Sequence, residues 1–307
     1  MTFQQFKYPF LFILILLIAA CNSQPQIKQS PDSLPEIALK NPIIKKGART
    51  FKNQINYKLD SALTRESMDS ILSQFSKDQL AVVYALNRVD ASKIKRKSSL
   101  IVPECASEEF NAYSPFPETL NFLQCIPQTV LISQRVQAFG LYENGELIKW
   151  GPVSTGKLTT PTPNGLHYGN FKAKRKISSV NEDWILPYYF NFMNFEGVGT
   201  HQYAMPGYPA SHGCVRMAED DAKFIYNWAN MWQLENQQIK QNGTPFMVFG
   251  EYNHEGDLPW QQLTQDMNAN DINKDELATL ENYFEKYQSD PRNFIAASED
   301  NNSKKIY

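Results

Sequence analysis

The sequence predicts a mostly β protein: a β-sheet sandwich with one packed helix, a small α-rich module before it and a helix after it. Three observations indicate this fold class. From Val130 onward, apolar, aromatic and β-branched residues alternate with a period of two, which is typical of strands. Before that point, apolar residues recur at helical spacing. The chain has 307 residues with 42% hydrophobic content, which is enough for two folded units.

Residues 1–20 have the pattern of an export signal. Lys7 precedes an apolar run over residues 10–20, which is too short for the ~20 residues that a transmembrane helix needs. The run ends in "LIAAC", which resembles the lipobox of bacterial lipoproteins. The resemblance implies that Cys21 is lipidated and becomes the first residue, so that the protein is periplasmic and anchored to a membrane, in our prediction the outer membrane. An ordinary secretory signal is the alternative.

Residues 21–50 are rich in Gln, Ser, Pro, Asn and Lys, which predicts an extended tether. Residues 51–104 form the predicted small module. Two helices are expected in "TRESMDSILSQF" and "KDQLAVVYALNRV", followed by a short strand that stops at Pro103, which has no N–H for pairing. This order resembles the second half of a lysin-motif (LysM) module, a small glycan-binding unit, although the pattern shows no clear opening strand. A plain helical segment is the alternative.

Three cysteines follow Cys21, and an odd number in an exported protein leaves one thiol unpaired. Cys105 and Cys125 flank a turn-rich stretch. A disulfide between them would stabilise the fold by roughly 3 kcal/mol in the chain-entropy model. Two separately buried free cysteines are the alternative, and the sequence does not decide between them. Cys214 is the remaining cysteine.

Residues 126–250 hold the predicted sheet domain. The dipeptide Asn144-Gly145 predicts a hairpin, because both residues tolerate a positive φ. Further strands are expected in "GLHYGNFKAKRKISS", "WILPYYFNFMNF" and "TPFMVFG", and "AEDDAKFIYNWANMW" predicts the packed helix, including Trp232. Residues 251–307 form a C-terminal extension in which "KDELATLENYFEKYQ" predicts one helix.

The stretch "PASHGCVRMAEDD", residues 209–221, carries the candidate chemistry. A thiol needs a neighbouring imidazole or another positive group to become a thiolate, and His201 and His212 are both near Cys214 in sequence. Residue chemistry alone does not choose between them. Glycines and prolines over residues 197–213 predict a tightly folded loop that returns His201 to the thiol. His167 and His254 are expected to be structural.

Two further features of this stretch suit acyl transfer. Gly213 permits a sharp turn with outward backbone N–H groups that can hold an oxyanion. The helix after the thiol is expected to direct the positive end of its dipole at the turn, which would favour thiolate. The planar guanidinium of Arg216 is suited to a substrate carboxylate.

"SHGCVR" together with the upstream His201 resembles the catalytic motif of the L,D-transpeptidases, bacterial enzymes that remodel peptidoglycan. "GPVSTGKLTTPTPNG", residues 151–165, extends the resemblance to about residues 128–250. It implies an L,D-transpeptidase-like domain in which Cys214 forms a thioester, His201 is the base and His212 shapes the site. Ser211, Gly213 and Arg216 occupy the supporting positions. The sequence departs from many members in Gln202 and in the short interval of 13 positions from His201 to Cys214.

The resemblance implies that the thiolate attacks the bond between diaminopimelate and D-alanine in a peptidoglycan stem tetrapeptide, without metal or cofactor. The acceptor stays open, because an amine gives a cross-link, water gives a carboxypeptidase, and another protein is a third acceptor. Two rival hypotheses are a zinc site at His201, His212 and Cys214, and a non-catalytic peptidoglycan-binding lipoprotein. With a net charge of −2, the chain has no basic field for nucleic acid.

Overall fold

Two packed β-sheets form the centre of the molecule, which confirms the predicted mostly β sandwich. The computed structural model describes residues 55–61, 64–94, 97, 99–105 and 109–294, all within one folded unit. The predicted signal, the tether and Cys21 lie outside the described residues. Within the described ranges, no helix is both long and apolar enough to cross a bilayer.

The elements follow one another along the chain in a mostly β order. The strands are β1 (Tyr57–Ser61), β2 (Ser99–Pro103), β3 (Thr129–Ser133), β4 (Ala138–Glu143), β5 (Glu146–Pro152), β6 (Gly165–Tyr168), β7 (Phe171–Ile177), β8 (Ile185–Met193), β9 (Val198–Gln202), β10 (Val215–Met217), β11 (Gln233–Glu235), β12 (Gln238–Gln241) and β13 (Pro245–Phe249). The helices are α1 (Arg65–Leu72), α2 (Lys77–Leu86), α3 (Glu219–Trp228) and α4 (Lys274–Ser289).

The N-terminal part is a strand–helix–helix–strand unit. β1 pairs antiparallel with β2, so the structure supplies the opening strand that the sequence pattern did not show. α1 and α2 are found where they were predicted, and each begins with a capping box, at Thr64 and at Ser76. The likeness of this unit to a glycan-binding module stays a prediction.

A five-stranded sheet, in the order β5-β4-β3-β13-β6, packs on a four-stranded sheet in the order β10-β9-β8-β7. The predicted hairpin joins β4 to β5, and Asn144 and Gly145 have φ values of 47° and 79°. β13 is buried on both faces: Phe246 and Val248 face the sandwich core, while Met247 faces a second core that includes α4. Burial on both faces explains why its sequence is continuously apolar.

The C-terminal extension is not a separate appendage. The guanidinium of Arg135, in the turn between β3 and β4, donates to both carboxylate oxygens of Glu276 in α4, each at 2.8 Å. Trp260 and Leu280 are buried in the same core as the five-stranded sheet. The described part of residues 251–307 therefore completes the second core, on the outer face of the five-stranded sheet.

Three expectations about local structure need correction. Residues 198–202 form strand β9 rather than part of a loop, because they pair with both β8 and β10. Helix α3 ends at Trp228, so Trp232 lies outside it. Cys105 and Cys125, whose pairing the sequence left open, are free thiols, and both are exposed rather than buried. Cys125 lies near Tyr287 of α4, whereas Cys105 follows the end of β2 in the N-terminal unit.

Candidate active site

The parallel strands β9 and β10 place the predicted site residues on one face of the four-stranded sheet. Arg216 lies opposite His201 in the register, and Val215 lies opposite Thr200. Successive side chains of a strand point to opposite faces, and Val215 is buried in the sandwich core. Cys214, Arg216 and His201 therefore share the other face. They line one cleft with Ser178, Val180, Trp184, Leu186, Tyr203, Ser211 and His212.

His201 is held in one tautomer. Its side chain is only 3% exposed, and Nδ1 lies 2.9 Å from the backbone carbonyl oxygen of Gln202. A carbonyl oxygen can only accept, so Nδ1 carries the hydrogen and Nε2 keeps a free lone pair. Burial lowers the pKa of His201 to about 4, and the nearby charge of Arg216 acts in the same direction. At neutral pH this histidine is an uncharged proton acceptor.

The thiol of Cys214 is half-buried and lies 3.8 Å from the carbonyl oxygen of Gly197. Burial raises the pKa of Cys214, whereas the backbone hydrogen bond from Gly199 and the charges of Lys176 and Arg216 act in the opposite direction. The resting thiol is therefore protonated at neutral pH. The expected helix dipole does not offset this, because β10 separates Cys214 from the start of α3 at Glu219.

His212 has a different environment from His201. It is exposed, its ring lies 5.0 Å from that of Trp184, and its Nε2 lies 3.2 Å from Nζ of Lys157. An ammonium group can only donate, so Nε2 is the acceptor. The pKa of His212 is lowered by desolvation and then by the charges of Lys157 and Arg216. The structure thus separates the two histidines that residue chemistry left equivalent.

A short turn presents the thiol. The Ser211 hydroxyl donates to the carbonyl of Cys214, and the amide of Gly213 donates to Ser211 Oγ at 3.1 Å. The hydroxyl of Thr162 donates to the Gly213 carbonyl at 2.7 Å. The Gly213 amide is therefore engaged inside the turn, and an oxyanion-holding role for the N–H groups of this turn stays a prediction. Glycine is needed here for its φ of 105°, since a Cβ would meet no atom closer than 3.6 Å.

The N-terminal unit supports the chain segment that leads to this turn. The carboxylate of Asp90 accepts from the amide of Met205 at 2.6 Å, and the amide of Asp90 donates to the Met205 carbonyl at 3.2 Å. Val89 forms an isolated bridge with Pro206. Nearby, the guanidinium of Arg216 lies 4.7 Å from the ring centre of Tyr203, which forms one side of the cleft.

Sequence reasoning missed several residues around the thiol. Lys157 and Thr162 lie in "STGKLTTPTPNG", whose resemblance to the family does not single out individual residues. No sequence pattern marks Tyr203 as a cleft residue. Trp184 opens the stretch "WILPYYFNFMNF", in which a strand is expected; Phe190 and Phe192 are buried, whereas Trp184 lines the cleft. Residues 189–192 of β8 are all buried, so alternation along the strand does not identify the cleft side, and Trp184 precedes the strand.

The two remaining histidines lie away from the cleft lining. Nε2 of His167 lies 3.2 Å from the carbonyl oxygen of Pro163, and the ring of His254 lies 5.0 Å from that of Tyr252. Among the residues that the structure describes, no three His, Cys, Asp or Glu side chains are grouped so as to hold a metal ion.

The buried His201 predicts a pH-dependent stability. Its folded pKa of about 4 lies below its ordinary value of 6.5, so the unfolded chain binds a proton that the folded protein does not. The contribution of neutral His201 to the free energy of unfolding is complete above pH 6.5. It is lost as the pH falls toward 4, by roughly 3 kcal/mol in total. Denaturant unfolding at pH 7 and pH 4.5 measures it. His201→Gln should show a shallower pH dependence than the parent, and parallel curves would contradict the assignment.

The fold and the site together define a class of domain: a β-sandwich that carries a thiol and an imidazole in one cleft. Residues 127–248 match the family model described as YkuD, the L,D-transpeptidase catalytic domain. This match supports an L,D-transpeptidase catalytic domain in that segment and an enzyme of this kind.

Individual relatives are distant in sequence. A putative L,D-transpeptidase YkuD from Bacillus licheniformis is 24% identical over 179 residues, which are 58% of this chain and 91% of that protein. The solved L,D-transpeptidase (Yku) from Stackebrandtia nassauensis is 21% identical, with a TM-score of 0.40 over 62% of this chain and 93% of that one. Mycobacterium tuberculosis L,D-transpeptidase 1 is 22% identical, with a TM-score of 0.31; the match covers 40% of this chain and 62% of that one.

Proposed function

We propose that the protein is a cysteine-dependent L,D-transpeptidase that acts on peptidoglycan tetrapeptide stems through a thioester on Cys214. One observation carries the proposal. The cleft holds the thiol together with a buried histidine whose Nδ1 is bound to a carbonyl oxygen, which leaves Nε2 free to accept a proton. A transpeptidase activity on peptidoglycan agrees with the match of residues 127–248 to the L,D-transpeptidase family model.

The pKa directions define the first chemical step. Burial raises the pKa of Cys214 and lowers that of His201, so the resting pair is neutral. His201 Nε2 takes the thiol proton as sulfur attacks the carbonyl carbon between diaminopimelate and D-alanine. The tetrahedral intermediate then breaks its C–N bond, and the imidazolium gives the proton to the leaving amine of D-alanine. The product is a thioester on Cys214.

The second step regenerates the thiol. An amine of a second stem attacks the thioester carbonyl, its proton passes through His201 to the departing sulfur, and a new peptide bond forms. Water in place of the amine gives a carboxypeptidase by the same route. Muropeptide analysis after incubation with the purified enzyme distinguishes a cross-linked dimer from a shortened stem.

The test of the acyl-enzyme is the intact mass after exposure to imipenem. Attack by a thiolate opens the β-lactam ring without a leaving group, so the mass should rise by that of the whole drug. We expect one adduct on the parent and none on Cys214→Ala. Cys105→Ala and Cys125→Ala are matched controls that should each keep the adduct, because those exposed thiols lie outside the cleft lining. An adduct on Cys214→Ala would refute the proposal.

We further propose that residues 57–103 bind the glycan part of peptidoglycan and that Cys21 anchors the protein to a membrane. The first proposal rests on the two helices enclosed by an antiparallel strand pair. It requires that the Cys214→Ala variant still sediments with isolated peptidoglycan.

The second proposal, the membrane anchor, rests on the "LIAAC" sequence. It requires that Cys21→Ser moves the protein from the membrane fraction to the soluble fraction of cells.

A further inference from the structure

The charges that act on the cleft are positive, although the protein carries a formal net charge of −2 at pH 7. Cys214 experiences the charges of Lys176 and Arg216, and His212 experiences those of Lys157 and Arg216. None of the residues that line the cleft is Asp or Glu. A cationic cleft on an acidic protein is a local feature and not a consequence of composition.

Lys157 is a fixed cation at the rim of this cleft. Its backbone amide donates to the carbonyl of Ser211 at 3.0 Å, which ties it to the turn that presents the thiol. Its side chain is half-buried and Nζ contacts His212 Nε2 at 3.2 Å. An ammonium group has three donors, and a neutral imidazole uses one of them. The contact therefore orients the ammonium group without neutralising its charge.

Arg216 supplies a second unneutralised cation inside the cleft. It is half-buried, and its guanidinium lies against the face of Tyr203. In the part of the chain that the structure describes, no carboxylate lies within ion-pair distance of Arg216 or Lys157. Glu182 and Asp183, in the connection from β7 to β8, are exposed. Two neighbouring cations without a protein anion create a positive potential that attracts a ligand of the opposite charge.

We infer that Lys157 and Arg216 form a carboxylate subsite of the thiol cleft, and that Lys157 makes the enzyme select stem peptides with a free carboxylate over amidated ones. The inference rests on the proposed function and extends it to the choice of acyl donor. The relevant group is the side-chain carboxylate of diaminopimelate, the residue that is transferred. The planar fork of Arg216 suits a bidentate contact, and the ammonium of Lys157 adds a point charge.

The experiment compares two tetrapeptide donors that differ only in whether this carboxylate is free or amidated. The readout is kcat/KM for D-alanine release. The parent enzyme should prefer the free acid by about tenfold, the effect of one charge-assisted hydrogen bond. Lys157→Met should lower kcat/KM for the free acid by a similar factor, leave the amide nearly unchanged and so remove the preference. Lys157→Arg should keep most of it.

Lys223→Met is the matched control. Lys223 is exposed on α3 and does not line the cleft, so this variant should keep the preference of the parent. Equal kcat/KM for the two donors on the parent would overturn the inference and leave the proposed function intact. An equal loss on both donors in Lys157→Met would show that Lys157 only positions His212, which also overturns it. Release from neither donor, with no imipenem adduct, would overturn both proposals.

Discussion

His201→Gln is expected to slow acylation of Cys214 by about 10²- to 10⁴-fold, the range that a positioned general base contributes. His212→Gln is expected to slow it by less than about tenfold, because His212 does not accept the thiol proton in this mechanism. The two substitutions remove the same chemical group at positions 11 residues apart in the same segment. Their difference therefore reports the environment of each imidazole.

The physical reason lies in the contacts of the two rings. The Nδ1 hydrogen of His201 is committed to the Gln202 carbonyl, which leaves the Nε2 lone pair as the proton acceptor of the ring. The Nε2 of His212 is already engaged by the ammonium of Lys157. A thiol with a raised pKa needs a base at the moment of attack, because little thiolate exists beforehand. Of these two histidines, His201 is the one that combines burial, a fixed tautomer and a place on the strand beside the thiol.

The measurement is the pseudo-first-order rate of imipenem adduct formation at pH 7, followed by intact mass. Alkylation of Cys214 by a small reagent at high pH serves as the control, because a thiolate formed by hydroxide does not need the base. His201→Gln should retain that alkylation if the variant is folded. Loss of acylation in His212→Gln with a normal rate in His201→Gln would reverse the assignment of the base.

Arg88→Ala is expected to lower the free energy of unfolding by about 3 kcal/mol or more. The substitution would leave a large buried cavity, and it would also leave the carbonyl groups that Arg88 binds without a donor. Arg88 is 1% exposed and lies at the centre of the contact between the N-terminal unit and the sandwich. Nε donates to the carbonyl of Val136 at 2.7 Å. The guanidinium lies between Trp150 and Trp260, 5.7 Å and 5.4 Å from the ring centres.

This arrangement joins three regions that are far apart in sequence. Trp150 belongs to β5, Val136 to the turn before β4, and Trp260 to the C-terminal extension. Burial lowers the pKa of Arg88 to about 9, which shows that burying the charge costs free energy. The contacts with carbonyl groups and aromatic rings offset this cost. Arg88 has a φ of 56°, but alanine has the same Cβ and bears the same backbone strain.

Denaturant unfolding of the full chain at pH 7 measures this effect. Arg175→Ala is the control, since Arg175 is exposed on β7 and its loss should change stability by no more than about 0.5 kcal/mol. Arg88→Met keeps much of the volume but leaves the carbonyls unpaired, so its stability should fall between those of Arg88→Ala and the parent. A Met variant more stable than the parent would show that the buried charge is a net cost.

Much of the fold was predictable because its signals are local. The hairpin at Asn144-Gly145 and helices α1, α2 and α4 depend on turn residues, caps and apolar spacing within a few positions. The strand β9 is not predicted because Gly197 and Gly199 indicate a loop, whereas pairing with β8 and β10 makes residues 198–202 a strand. Glycine is required at position 199 because a Cβ would lie 2.5 Å from the Phe190 carbonyl oxygen of the neighbouring strand.

The sequence by itself determined the strand and helix pattern and the chemical groups available near Cys214, since both are properties of contiguous residues. Only the tertiary structure decided how those groups behave. It buried His201 and exposed His212, engaged the Gly213 amide within the turn and placed Lys157 beside the cleft. Protonation and hydrogen bonding depend on burial and on neighbours that are distant along the chain, so a local pattern cannot specify them.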